Sequence, residues 1–142
     1  MRLVLALLLA GTAHAQPRQP GWEVTVADNV AVAPGESGTI SVAIRVDRGL
    51  VVSKDASVIV DVQAAPGVAV RKKRLGRTDA VDPEADAPRF AVAVKGDAVG
   101  EHAVKVRVRF WVCGGKSCRP IDVRKSAMVS VMEPAPPVDA PK

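Results

Sequence analysis

Cysteine is scarce in this sequence, with two in 142 residues. That excludes a four-cysteine zinc site and any disulfide-dense scaffold. Long apolar runs are also missing. Leu3 to Ala10 spans only eight residues, whereas a helix crossing a bilayer needs about 20. No G-x-S-x-G elbow, phosphate loop or dinucleotide fingerprint occurs, so those catalytic and nucleotide-binding classes have no support. The length leaves no room for a second core, so a multi-domain enzyme is not expected. Disorder throughout is excluded as well, because 48% of the residues are hydrophobic and fall in recurring valine-rich segments. The formal charge is +5, from 20 basic and 15 acidic residues. So mild an excess reads as a solvated basic surface rather than a nucleic-acid footprint.

The N-terminus reads as an address. Met1 to Ala15 is MRLVLALLLAGTAHA: a positive Arg2, a short apolar run and the small-x-small site Ala13-His14-Ala15, the layout of a secretory signal peptide. No cysteine follows that site, so no lipid anchor is expected there. The expected product is a periplasmic or secreted chain with no transmembrane segment, starting near Gln16. Residues 16–21 form a leader, 22–132 the folded domain, and 133–142, which read EPAPPVDAPK, a proline-rich disordered tail or spacer.

Between these ends the sequence alternates at period two. Trp22, Val24 and Val26 share one parity. So do Ile40, Val42, Ile44 and Val46, then Val58, Val60, Val62 and Ala64, then Phe90, Val92 and Val94. Val104, Val106, Val108, Phe110 and Val112 continue the pattern. Ile121, Val123, Ala127, Val129 and Val131 close it, interrupted by Lys125. Strands bury alternate side chains on one face, and β-branched valine suits them. Pro34-Gly35, Arg48-Gly49, Pro66-Gly67, Gly96-Asp97 and Gly114-Gly115 mark the turns. These rows predict an all-β, two-sheet antiparallel sandwich. Arg71 to Arg77 carries five basic residues in seven, and Asp79 to Asp86 four acidic ones. Together they predict a long solvated loop.

Candidate chemistry sits in Phe110-Trp111-Val112-Cys113-Gly114-Gly115-Lys116-Ser117-Cys118-Arg119-Pro120. The two cysteines flank a Gly-Gly turn between strands, where a disulfide is expected in an oxidising compartment. It closes a loop of about six residues, for a chain-entropy gain of only about 2 kcal/mol. A staple placed for stability alone would close a longer loop. With an unbroken pleat, Cys113 shares the outer face with Arg109 and Trp111, and Cys118 shares it with Pro120, Asp122 and Arg124. Lys116 and Arg119 lie close in sequence and would favour thiolate, while Trp111 would pack beside the sulfurs.

These residues resemble the N-terminal periplasmic domain of the DsbD thiol:disulfide interchange family. The resemblance runs through Arg48-Gly49-Leu50, Pro66-Gly67-Val68, a long polar loop, Phe90 to Val94, Gly100-Glu101-His102, and the Cys113–Cys118 pair with Pro120 behind it. It implies an immunoglobulin-like antiparallel β-sandwich of about seven to nine strands. It also implies that Cys113 and Cys118, with Pro120 behind them, are catalytic and exchange electrons with partner proteins; Trp111, Lys116 and Arg119 are the supporting residues that parity and proximity suggest. The family's aromatic cap loop would fall within residues 71–88, which contain no Phe, Tyr or Trp. The family's transmembrane and thioredoxin-like portions have no counterpart in the sequence, so redox partners would be separate proteins.

Two other readings stand beside this one. The first is a non-catalytic sandwich that binds an envelope protein and uses the disulfide as a staple. The second is a metal-handling module, combining the thiols with His102 for zinc, or with Met128 and Met132 for copper(I). The expectation is no cofactor, no resident metal, a monomer, and protein partners rather than nucleic acid.

Overall fold

Each period-two row becomes a strand. The computed structural model describes residues 21–134. The expected signal peptide, and all but the edges of the expected leader and tail, lie outside them. The strands are β1 (Trp22–Val26), β2 (Asn29–Val32), β3 (Ser37–Val46), β4 (Val51–Val52), β5 (Ile59–Ala64), β6 (Val68–Val70), β7 (Arg74–Gly76), β8 (Arg89–Gly96), β9 (Gly100–Gly114) and β10 (Ser117–Val131). One 3-10 turn, Arg77–Asp79, follows β7. No helix among the described residues is long and apolar enough to cross a membrane.

Two sheets form. The first has the order β1-β3-β8-β6; the second runs β2-β10-β9-β5-β7, with β4 also paired to β9. Strands β1, β3, β8 and β6 stand where an immunoglobulin sandwich has A, B, E and D, and β5, β9 and β10 stand for C, F and G. The fold is therefore the expected immunoglobulin-like sandwich, with two differences. Ten strands replace the seven to nine expected, because β4 and β7 are pairings of two and three residues that carry no readable period. The second sheet is mixed rather than purely antiparallel, since β2 pairs parallel with the end of β10, from Met128↔Asn29 to Val131↔Val32.

The core lies between the sheets and is mostly valine. Ile40, Val42, Phe90 and Val92 of the first sheet are buried, as are Val60, Val104, Val106, Val108 and Phe110 of the second. Burying each such side chain stabilises the fold by about 1.5–3 kcal/mol. The Trp22 ring meets Phe110 edge-on at 6.2 Å, closing the core below the site. Lys125, which breaks the apolar row of β10, is exposed.

The stretch expected as a solvated loop is more ordered than its charge suggests. Leu75 and Ala80 are buried, and Arg74 pairs with Asp61 across β7 and β5. Arg77 turns inward. Its Nη1 donates to the carbonyls of Pro83 and Ala85, and its Nη2 to those of Val52 and Ser53, at 2.9–3.2 Å. Guanidinium presents several donors in a fixed fork, which suits it to gathering carbonyls that no strand satisfies.

Candidate functional site: a cross-strand disulfide on an open sheet face

Strands β9 and β10 make a long hairpin whose register runs without a bulge from Ser117↔Gly114 to Val131↔Gly100. Two residues, Gly115 and Lys116, connect them. Gly115 has φ +58 and Lys116 a negative φ, the pattern of a type II′ turn, which matches the twist of the flanking strands. This turn places Cys113 directly opposite Cys118. Their Cα atoms are 4.0 Å apart and their sulfurs are bonded.

So close an approach marks a non-hydrogen-bonded pair. Alternation along the ladder then makes Trp111↔Pro120 a pair of the same kind, with the backbone nitrogen of Pro120 facing away from β9. Proline has no N–H to offer there and interrupts nothing. The hydrogen bond from the Met128 N–H to the Asp28 carbonyl, on the far side of β10, fits the same alternation. Between Ser117 and Ala127 that far edge of β10 pairs with no strand among the described residues.

The sulfurs lie on the outer face of the second sheet. Cys118 is exposed and Cys113 half-buried. On the side of β9 away from β10, Val51 of β4 pairs with Cys113. Leu50 packs where Gly114 has no side chain, so a Cβ at 114 would overlap its δ-methyl. Beyond β4, the Val52 N–H donates to the Asp86 carbonyl. The segment expected to hold a cap therefore borders β4 and leaves Cys118 exposed. Two of the exposed large apolar side chains, Trp111 at 41% and Val51 at 38%, flank Cys113.

The supporting residues separate. Trp111 and Pro120 are paired directly across the ladder, two residues from the disulfide. Lys116 is exposed in the turn itself. Arg119 does not join them. It pairs with Val112, so its side chain leaves the sheet on the face opposite the sulfurs, because neighbours along a strand alternate. Sequence proximity had suggested otherwise. Sequence reasoning also missed Val51 and Ile59, which border the site from β4 and β5, and Leu50, which packs under Gly114 on the core side. Only the Gly49-Leu50 signal hinted at the last.

The metal reading is overturned by distance. His102 lies eleven residues below Cys113 on β9, about 36 Å at strand rise, and Met128 lies almost as far from Cys118. His102 is engaged elsewhere, with Nε2 2.7 Å from the Ala98 carbonyl. Among the described residues no cluster of three His, Cys, Asp or Glu is placed to hold a metal.

Ion pairs occupy the face below the sulfurs. Arg74 and Arg109 bind Asp61 at 2.7 and 2.6 Å, and Arg107 binds Asp122 at 2.6 Å. The Arg74 hydrogen bond, opposed by burial and reinforced by Arg109, holds the Asp61 carboxyl below the usual carboxylate range. Arg107 does the same for Asp122.

No family model matches the chain, and no curated protein sequence matches it. Solved structures similar to it include domains 4 and 5 of the S-layer protein SbsC (18% identity, TM-score 0.44, 77% of this chain), of which the chain spans half the length. AggA, the major subunit of aggregative adherence fimbriae type I from Escherichia coli, is 8% identical, with TM-score 0.41 over 84% of this chain and all of that one. The CooA pilin subunit from enterotoxigenic Escherichia coli is 14% identical, with TM-score 0.31 over 80% of this chain and 99% of that one.

Proposed function

We propose that this is an exported thiol–disulfide exchange module of the type resembled by the DsbD N-terminal domain. One observation carries the reading: the disulfide joins directly opposed residues at the open tip of a hairpin, with Cys118 exposed. The ladder already fixes this hairpin over fifteen residues of each strand, so the bond adds little to the fold. What it offers is access.

In the exchange, a donor thiolate attacks Sγ of Cys118. The Cys113–Cys118 bond breaks, a mixed disulfide forms on Cys118, and Cys113 leaves as a thiolate. The donor's second thiolate then attacks the mixed disulfide and frees Cys118. The donor dithiol is oxidised by two electrons, and the two cysteines, once protonated, hold them as thiols. The reverse sequence passes the pair on.

The test is a reduction potential measured against glutathione, expected above about −300 mV, the region below which structural disulfides lie. In the Cys113→Ser variant, glutathione disulfide should leave a stable adduct on Cys118, visible by mass. A potential below that boundary, or no adduct, overturns the reading. A second reading, a non-catalytic sandwich that binds an envelope protein, is favoured by the unpaired edge of β10 next to exposed Trp111. It expects Cys113→Ser with Cys118→Ser to leave partner binding intact, whereas exchange requires both sulfurs.

A further inference from the structure

We infer that the outer face of the second sheet is a docking surface for an acidic protein partner, one that presents its own cysteine to Cys118. This rests on the exchange reading above. Register sets the order of side chains below the disulfide. First comes an apolar layer, Trp111↔Pro120, with Ile59 one layer below on β5. A groove lined by Ile59, Arg109, Trp111, Pro120 and Asp122 opens there. Then come Arg109↔Asp122, Arg107↔Arg124 and Lys105↔Ser126.

Charge on this strip does not balance. Arg74, Lys105, Arg107, Arg109 and Arg124 share the face with Asp61 and Asp122. Three arginines use up both carboxylates. Among the described residues Arg124 and Lys105 form no ion pair, and Arg124 stands directly across from Arg107. Asp122 already neutralises Arg107, which leaves Arg124 and Lys105 as the charges an anionic surface would meet. The outer face of the first sheet has small, uncharged side chains at its middle, Thr39, Ser41, Ala43, Ala91 and Ala93, with Arg45, Arg89 and Lys95 towards its ends. On the strip that carries the sulfurs, five basic side chains meet two acidic ones, and the unpaired cations Arg124 and Lys105 lie in line with Cys118.

Reach fits as well. A typical interface covers about 800 Å² per partner, roughly 30 Å across. Arg124 lies six residues from Cys118, about 20 Å at strand rise. A protein pressing a thiol onto Cys118 would cover the apolar layer with the rim of its own thiol and lay its acidic side chains on Arg124 and Lys105.

The test uses the reduced protein and three peptides, each carrying one cysteine blocked as a mixed disulfide with thionitrobenzoate. The cysteine is flanked by Asp, by Gly or by Lys. Cys118 thiolate attacks the peptide sulfur and expels thionitrobenzoate, then Cys113 thiolate displaces the peptide thiol and re-forms the protein disulfide; the absorbance of thionitrobenzoate reports the rate. The Asp peptide should react about tenfold faster than the Gly peptide at low salt, and the Lys peptide slower. That spread should shrink in high salt, and the ratio of Asp to Gly rates should collapse in a Lys105→Glu/Arg124→Glu variant. The salt titration needs no variant, so the result survives one that misfolds. Equal rates for all three peptides would overturn the docking surface while leaving exchange standing. Rates no faster than those of free cysteine with every peptide would sink the exchange reading and the docking surface with it. Co-sedimentation with phosphatidylglycerol vesicles, without any peptide preference, would assign the strip to a membrane and also overturn the proposal.

Discussion

Arg77 Nη2 donates to the Val52 carbonyl at 3.0 Å across 25 residues of sequence. Through that bond the guanidinium ties the 77–88 segment to β4, the short strand that borders Cys113. Val52 answers from its other backbone group, its N–H donating to the Asp86 carbonyl at 2.7 Å. The segment is held at both ends by one residue of β4.

Arg77→Ala should therefore release the segment. Four carbonyls lose their donor, and charge-assisted bonds contribute about 1.5–3 kcal/mol each when single. Water reaches part of the site, so the expected loss is about 2–3 kcal/mol in all. Arg77→Lys should recover little, because one ammonium cannot reproduce the fork. Hydrogen exchange is the sensitive readout, with the Val52 and Ala85 amides losing protection before the β9 and β10 core. Unchanged protection at Val52 would show that Arg77 is dispensable.

This anchor was not legible in the sequence. Five basic residues in seven look like a solvated stretch, and nothing in their spacing says which one meets unpaired carbonyls. The hairpin was legible, because Val104 to Val112 and Ile121 to Val131 alternate strictly enough to fix the face of Cys113 and Cys118 before any contact is known. The same alternation, carried one residue further, would have placed Arg119 on the opposite face. Strands β4 and β7 are too short to have a period, and the parallel pairing of β2 with β10 depends on partners about 100 residues apart.

Removing the disulfide should be cheap. Closing about six residues gives about 2 kcal/mol in the chain-entropy picture, near 8 °C in Tm for a domain of this size. The ladder below it is continuous, so Cys113→Ser with Cys118→Ser should keep native amide shifts from Val104 to Val112 and lose only those of the turn. Thermal unfolding of the reduced wild type gives the same quantity without mutation. A loss of 5 kcal/mol or more would mark the bond as a structural staple.

Gly67 offers a test of the turn signals. Its φ is +106, and a Cβ there would overlap the His102 ring. Its carbonyl also accepts the N–H groups of Asp97 and Ala98, so two turns meet at this residue. Gly67→Ala should cost about 1–3 kcal/mol from the backbone alone, plus the displacement of the ring. Adding His102→Ala should recover the second part and not the first. Full recovery in a denaturant titration of the double variant would show that the backbone conformation carries no cost.

Acid should weaken the fold through its aspartates. Arg74 lowers Asp61, Lys72 and the Gly76 N–H lower Asp79, the Arg89 N–H lowers Asp82, and Arg107 lowers Asp122. Each folded carboxyl binds a proton less readily than its unfolded counterpart near 3.9. The stabilisation is thus fully present above that value and is lost as pH falls through the folded ones, when the unfolded state takes up more protons. Tm should be flat from pH 8 to about 5 and fall steadily below about 4. Because these pairs face water, added salt should lessen the slope. Asp82→Asn removes the charge, keeps one oxygen for the Arg89 N–H and sets an amide NH2 against its guanidinium, and should lower Tm at pH 7 while changing it little at pH 2. An equal loss at both values would mean that the charge on Asp82 is not what stabilises the segment.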